Sequence, residues 1–350
     1  MLYATLALCF VISVIITPFV KKFAIRIGAT DKPNQRKVHQ KIMPRMGGLA
    51  IFISFVIGMF VYMPDSKFFY PILIGSTIIV ITGILDDMME LSAKIKLLGQ
   101  IAAAAVVVFG GVTVEFINVP FFGEVDFGFL AIPLTMLWII GITNAVNLID
   151  GLDGLAAGVS SIALITISGM AIFMGNGFVA AVGLILLGST LGFLIYNFYP
   201  AKIFMGDTGA LFLGFIISVL SLLGFKNVTL VSLIIPIIIL GVPISDTIFA
   251  IIRRLLNKQP LSAADKSHLH HCLLQSGYSH RQTVLIIYGI AAFFGLAAVL
   301  FSQTTLWISI AIMVVLLIII ELFAEKIGLM GENHRPLLKY FRNEGSKSRS

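Results

Sequence analysis

The chain has 350 residues, 58% of them hydrophobic and only 12% charged, with a mean hydropathy of +1.03. Soluble domains carry about 25% charged residues, so a soluble globular protein is excluded and an integral membrane protein is expected. The net charge of +7 does not argue for nucleic acid, because the basic residues gather in loops on one expected face.

Apolar runs of spanning length recur along the whole chain, near 2–20, 47–63, 70–85, 97–113, 128–146, 156–174, 178–196, 209–225, 228–251, 284–301 and 305–324. They predict an all-α, polytopic protein of about eleven transmembrane helices. The first run has no preceding positive region or small-residue cleavage site and is followed by Lys21 and Lys22, so it reads as a retained helix. Cys9 and Cys272 fall on opposite faces and give no disulfide framework.

Alternating the loops places 21–46, 86–96, 147–155, 197–208 and 252–283 on one side, together with the tail. That side then holds 22 of the 24 Lys and Arg, and only Lys67 and Lys226 fall outside it. The asymmetry predicts an outside N-terminus and a cytoplasmic C-terminus. Residues 1–324 read as one transmembrane domain with cytoplasmic loops, and 325–350, ending NEGSKSRS, as a disordered tail. The outside connections, including 114–127, read as turns.

Five clusters in the inside loops can carry chemistry. In ILDDMMELSAKIK, Asp86 and Asp87 end a span and Lys96 follows; adjacent carboxylates at a membrane surface call for a shared cation or proton, or simply mark a helix end. In TNAVNLIDGLDGLAAG, Asn147, Asp150 and Asp153 recur every three residues, offering oxygens to a hard cation in a loop without Lys or Arg. In FMGDTGALFLG, Asp207 precedes an apolar helix and is either its N-cap or a ligand for a phosphate-bridged metal.

The fourth cluster, RRLLNKQPLSAADKSHLHHCLLQSGYSHRQ, gathers Arg253, Arg254, His268, His270, His271 and His280. One Cys and a packed H-x-H-H lack the spaced pairs of a zinc site, so anion binding fits better. The fifth, NQRKVHQKIMPRMGG, carries Arg36, Lys37, His39, Lys41 and Arg45, suited to anionic headgroups or to phosphate capture. Acids to hold Mg²⁺ with bases to hold phosphate are the parts of phosphoryl transfer, and at headgroup depth the natural acceptor is a lipid phosphate.

LDD, NLIDGLDGLAAG, FMGDTGALFLG and HLHH stand in the order of the motifs of the polyprenyl-phosphate N-acetylhexosamine-1-phosphate transferases, the WecA/MraY superfamily. The resemblance covers almost the whole chain, and NQRKVHQKIMPRMGG is most similar to the TagO-type branch of Gram-positive bacteria. It implies transfer of GlcNAc-1-phosphate from UDP-GlcNAc to undecaprenyl phosphate on the cytoplasmic face of the plasma membrane, releasing UMP, as the first step of wall teichoic acid assembly. Mg²⁺ is the implied cofactor, with Mn²⁺ as a substitute.

Position by position, the resemblance implies metal binding for Asn147 and Asp207 and a general base at Asp86, with Asp87. It implies substrate binding for Lys96, Asp150, Asp153, Arg254, His268, His270 and His271. Relatives of this kind are often dimers, which makes a homodimer an expectation. A CDP-alcohol phosphatidyltransferase is the nearest rival enzyme, but its DG is followed by Ala-Arg, whereas Leu-Ala-Ala-Gly stands here. A transporter would place its ionisable residues near the midplane, and here they lie at the inner ends of the spans.

Overall fold

The computed structural model describes residues 1–31, 43–119, 123–225, 230–260, 265 and 267–329. Arg36, Lys37, His39, Lys41, Lys226, Lys266 and most of the expected tail lie outside the described residues. The helices are α1 (Leu2–Ile27), α2 (Gly48–Tyr62), α3 (Phe69–Met89), α4 (Ala93–Phe109), α5 (Ala131–Leu148), α6 (Leu155–Phe173) and α7 (Gly177–Asn197). They continue with α8 (Gly206–Phe225), α9 (Leu230–Ile239), α10 (Gly241–Leu256), the short α11 (Leu269–Gln275), α12 (His280–Ser302) and α13 (Leu306–Ile327). A membrane core offers backbone groups no water, so apolar runs of this kind satisfy their amides internally as helices.

Every expected apolar run is helical, but among the described residues eight helices are long and apolar enough to cross a membrane, or up to nine with one bent pair counted as a span. Helices α2 and α4 have 15 and 17 residues, short of the roughly 20 that a 30 Å hydrocarbon layer asks for. The run at 228–251, expected as a single span, is instead two helices bent by 84°. Pro236 lies inside α9 and Pro243 in the first turn of α10. Proline lacks an amide N–H and its ring meets the carbonyl four residues back, so the helix breaks at Leu240 and restarts.

Two further boundaries differ from expectation. The 114–127 connection contains an antiparallel hairpin of β3 (Phe116–Val119) and β4 (Gly123–Asp126) rather than a plain turn. Helix α13 runs past residue 324 to Ile327, with Glu325 and Leu329 buried, so the helix extends beyond the expected start of the tail. A second small ladder pairs β1 (Thr30–Asp31) with β2 (Met43–Pro44), antiparallel, with Asp31 opposite Met43.

Helix α8 is the hub: 94% of its most apolar window is buried, against 11% for α13 at the periphery. Small residues let its neighbours come this close, as expected where dispersion rather than hydrophobic exclusion holds helices together. A Cβ on Gly83 of α3 would lie 2.7 Å from Thr208 N, and one on Gly214 of α8 would lie 2.8 Å from Thr143 Cα in α5. Gly48 of α2 meets Gly209 in the same way. These approaches draw the ends of α3 and α5 and the start of α8 together at one end of the bundle.

Candidate active site

The start of α8 is where the sequence motifs meet. Asp87, at the end of α3, accepts from Asp207 N and Thr208 N at 3.0 Å each and from Thr208 Oγ1 at 2.6 Å. Two of these are first-turn amides that a helix leaves without internal partners. The cap of α8 is therefore Asp87 from another helix, and the reading of Asp207 as an N-cap is corrected: its side chain is free to face elsewhere. Gly206, at φ 71°, passes so close to Asp87 that a Cβ would come 2.7 Å from Oδ1.

The side chain of Asp207 gathers the other motifs. Its Oδ1 accepts from Asn147 Nδ2 at 3.0 Å, and its Oδ2 pairs with Lys96, whose ammonium is also 2.9 Å from Asp86 Oδ2. Asp86 Oδ1 in turn accepts from Leu91 N at 3.0 Å, across the turn where Glu90 adopts φ 52°. Asp86 and Asp87 are thus neighbours in sequence with opposite environments, one half-buried beside a lysine and the other buried against backbone amides.

A cleft of about 340 Å³ opens beside Asp207, lined by Arg45, Asp150, Asp153, His270, His271 and His280 among others. Arg45 reaches it through main-chain pairing. Phe204 N donates to Pro44 O, while Gly47 N and Gly48 N donate to Phe204 O and Met205 O, all at 2.9 Å, and Arg45 N donates to Ala29 O at 3.0 Å. This seam seats the guanidinium 3.7 Å from Asp87 Oδ1. Burial disfavours its charge, but Asp87, Asp31, Asp207 and Asp86 outweigh that and hold it above its ordinary value.

The glycine-rich loop after α5 is pinned from several sides. Asp153 Oδ2 accepts from Ala201 N at 2.9 Å and its amide donates to His280 Nε2 at 3.1 Å, with His280 stacked on Tyr199 at 4.5 Å. Asn197 Oδ1 accepts from Gly154 N, and Tyr288 donates to Gly154 O. Burial pushes the Asp150 carboxyl up to about 8, with the negative charges of Asp207 and Asp87 adding to the shift. His270 packs over Gly151, and burial, helped by His271, pushes its imidazole down to about 3.

Of the residues expected at the site, Asp207, Asp150, Asp153, His270 and His271 line the cleft. Asn147, Asp86 and Lys96 meet Asp207 around it. Four stand differently, Asp87 because its carboxylate is engaged by the first turn of α8 and does not line the cleft. Lys96 is engaged by two carboxylates rather than presented in the cleft. His268 lies behind His270, its Nδ1 2.9 Å from Asp246 Oδ2. Arg254 does not line the cleft, and its buried Nε has no hydrogen-bond partner among the described residues; it is Arg253 that is tied in, to Asp265 and to Leu329 O.

Sequence reasoning passed over Asp31, Asn197, Tyr199 and Asp246 as site residues and weighed Arg45 chiefly as a lipid-facing charge. Only Asp246 carried a signal, as an acid within an apolar run.

Among the described residues no three His, Cys, Asp or Glu side chains converge as a complete metal cage. The donor set is nonetheless one of hard oxygens: the carboxylates of Asp207 and Asp86 and the amide of Asn147, with the Lys96 ammonium lying between the two carboxylates. Such a set fits Mg²⁺, which takes one or two carboxylates and completes its shell with water and substrate phosphate.

Fold and site together define a multi-pass membrane protein with a cleft lined by acids, histidines and Arg45 at one end of its bundle. The family described as glycosyl transferase family 4 matches residues 69–225. The chain is 55% identical over 333 residues to a probable undecaprenyl-phosphate N-acetylglucosaminyl 1-phosphate transferase of Bacillus subtilis, covering 94% of this chain and 92% of that one. It is 35% identical to a decaprenyl-phosphate N-acetylglucosaminephosphotransferase of Mycolicibacterium smegmatis, covering 88% and 85%. A phospho-N-acetylmuramoyl-pentapeptide-transferase of Halalkalibacterium halodurans is 33% identical, with 85% and 96% covered. The chain belongs to this family of polyprenyl-phosphate N-acetylhexosamine-1-phosphate transferases, as its motifs led us to expect.

Proposed function

We propose that the protein transfers GlcNAc-1-phosphate from UDP-GlcNAc to undecaprenyl phosphate, giving undecaprenyl-diphosphate-GlcNAc and UMP. The observation that carries this reading is the convergence of Asp207, Asn147, Asp86 and Lys96 beside a cleft whose rim holds Arg45 and the histidine box. The names of the relatives at 55% and 35% identity support a polyprenyl-phosphate acceptor and a GlcNAc-phosphate donor. The one-sided distribution of Lys and Arg supports a cytoplasmic site, and we place the product at the start of wall teichoic acid assembly.

In this reaction an oxygen of the lipid phosphate forms a bond to the β-phosphorus of UDP-GlcNAc, and the bond from that phosphorus to the bridging oxygen breaks, UMP leaving with the electron pair. Asp207 and Asn147 would hold Mg²⁺, which would supply positive charge to offset that of the donor phosphates. Asp86 orients the acceptor. A phosphate monoester has its second pKa near 6, so at neutral pH much of the acceptor already has both protons removed and needs placement more than a base. Asp87 acts at one remove, fixing the α8 turn that presents Asp207.

Arg45 offers its fork to the diphosphate, a planar donor pair matched to phosphate oxygens. Asp150 and Asp153 face the nucleoside, and the neutral His270 faces the sugar phosphate together with His271.

The test is transfer of label from UDP-[¹⁴C]GlcNAc into lipid by purified protein with undecaprenyl phosphate and Mg²⁺. Label that EDTA and Asp207→Asn both abolish is expected. Label from another UDP-N-acetylhexosamine only would move the donor within the family, and no transfer with any donor would overturn the reading.

A further inference from the structure

The reaction above gives no task to a buried acid that meets the histidine box. Asp246 of α10 is 1% exposed, in surroundings where an ionisable side chain is costly without partners. Both its oxygens are engaged: Oδ2 lies 2.9 Å from His268 Nδ1, and Oδ1 accepts from Leu269 N at 2.8 Å. A carboxylate only accepts, so Nδ1 of His268 carries a ring proton.

From His268 the order continues into the cleft. Its ring lies parallel to that of His270, 4° apart with centroids 6.1 Å distant, and His270 packs on His271 at 4.2 Å. The last two line the cleft. Helix α11, which carries His270 and His271, has only seven residues, too few to hold a pose of its own. The nearby guanidinium of Arg253 is taken by Asp265 and by Leu329 O, and Asp265 also accepts from Ser267 N, so this end of the box is held by Asp265 at the main chain and by Asp246 at the His268 ring.

We propose that Asp246 is a positioning residue for the transfer: it fixes His268 as the Nδ1–H tautomer and anchors the start of α11, and so sets His270 and His271 in the cleft. This rests on the transferase reading above. A simpler role, capping α11 alone, makes a different forecast for Asp246→Asn. Asparagine keeps an oxygen for Leu269 N–H but turns an N–H group toward His268 Nδ1, which then has to accept, and the tautomer reverses.

The experiment measures initial transfer rates of full-length protein in detergent, with undecaprenyl phosphate, UDP-GlcNAc and Mg²⁺, for wild type, Asp246→Asn, His268→Gln and the double variant, alongside thermal unfolding. The expected result is a loss of roughly tenfold or more in kcat for Asp246→Asn, the scale of losing a group that orients a working histidine. Unfolding should be unchanged, His268→Gln should lose a similar amount, and the double variant should be no worse than the poorer single one. Wild-type rates in Asp246→Asn, or losses that multiply in the double variant, overturn the proposal.

Should Asp246→Asn fail to fold, nitrogen NMR on histidine-labelled wild type decides, with His268 assigned from the His268→Gln spectrum. An Nδ1 that carries a proton supports the proposal, and an Nδ1 without one overturns it. Wild type that transfers nothing overturns the transferase reading and the positioning role with it, while the NMR signal still reads the tautomer separately.

Discussion

The ammonium of Lys96 lies between two carboxylates, 2.9 Å from Asp86 Oδ2 and ion-paired with Asp207, a residue 111 positions away. A cation there relieves the repulsion between two acids brought together at the end of the bundle. The same lysine competes with any divalent ion that uses those oxygens.

Removing that competition while removing its charge gives a two-sided prediction. Lys96→Met is expected to tighten apparent Mg²⁺ binding by about tenfold, because two uncompensated carboxylates attract a dication more strongly. Transfer should fall by roughly 100-fold with loss of a preorganised positive charge. Calorimetric titration with Mg²⁺ reads the first and the label assay the second; weaker metal binding in the variant would refute the arrangement.

Asp86 and Asp87 should separate into a reacting and a supporting carboxylate. Asp87→Ala leaves Asp207 N, Thr208 N and Thr208 Oγ1 without their acceptor, at a cost of about 3 kcal/mol. Its melting temperature should drop along with its activity. Asp86→Asn should keep its melting temperature and lose roughly 100-fold in kcat. Equal melting behaviour of the two variants would contradict the division.

Arg45 is the only Lys or Arg among the described residues lining the cleft. Arg45→Ala is expected to raise KM for UDP-GlcNAc by roughly 10- to 100-fold, the worth of a hydrogen bond to a charged group. Arg45→Lys should recover only part of this, because an ammonium cannot make the paired donation of a guanidinium. Steady-state kinetics with the lipid held saturating checks both, and an unchanged KM in Arg45→Ala would remove Arg45 from the donor site.

Asp150 sets a pH dependence of stability. Its folded pKa, pushed up to about 8 mainly by burial, lies above its ordinary 3.8. Below pH 4 both folded and unfolded chains hold the proton and the group is neutral in its effect. Between about 4 and 8 the unfolded chain gives the proton up while the folded one retains it, so stability falls as pH rises. Asp150→Asn cannot ionise, and its melting temperature should match wild type near pH 4 and exceed it increasingly toward pH 8. A constant difference across that range would show that burial of Asp150 is not the cause.

Class, motif order and the one-sided basic loops are properties of local composition, and they were legible in the chain: the apolar runs all became helices, and the residues of LDD, NLIDGLDG, MGDTG and HLHH came together. What resisted reading was pairing at a distance. Nothing in DD distinguishes Asp86 from Asp87. That difference arises because Gly83 and Gly206 let α3 pass against the first turn of α8, so that one carboxylate meets amides and the other a lysine.

By itself, then, the sequence determined a multi-pass helical bundle and the chemical inventory of its site, because hydropathy and motif spacing act over a few residues at a time. Only the tertiary structure decided that Arg45 enters the cleft, that Arg253 rather than Arg254 is tied down, and that Asp246 stands behind His268. It also decided the 84° break between α9 and α10. The physical reason is that a hydrogen bond or ion pair depends on positions set by helix packing, and packing depends on which small residues face each other across the bundle.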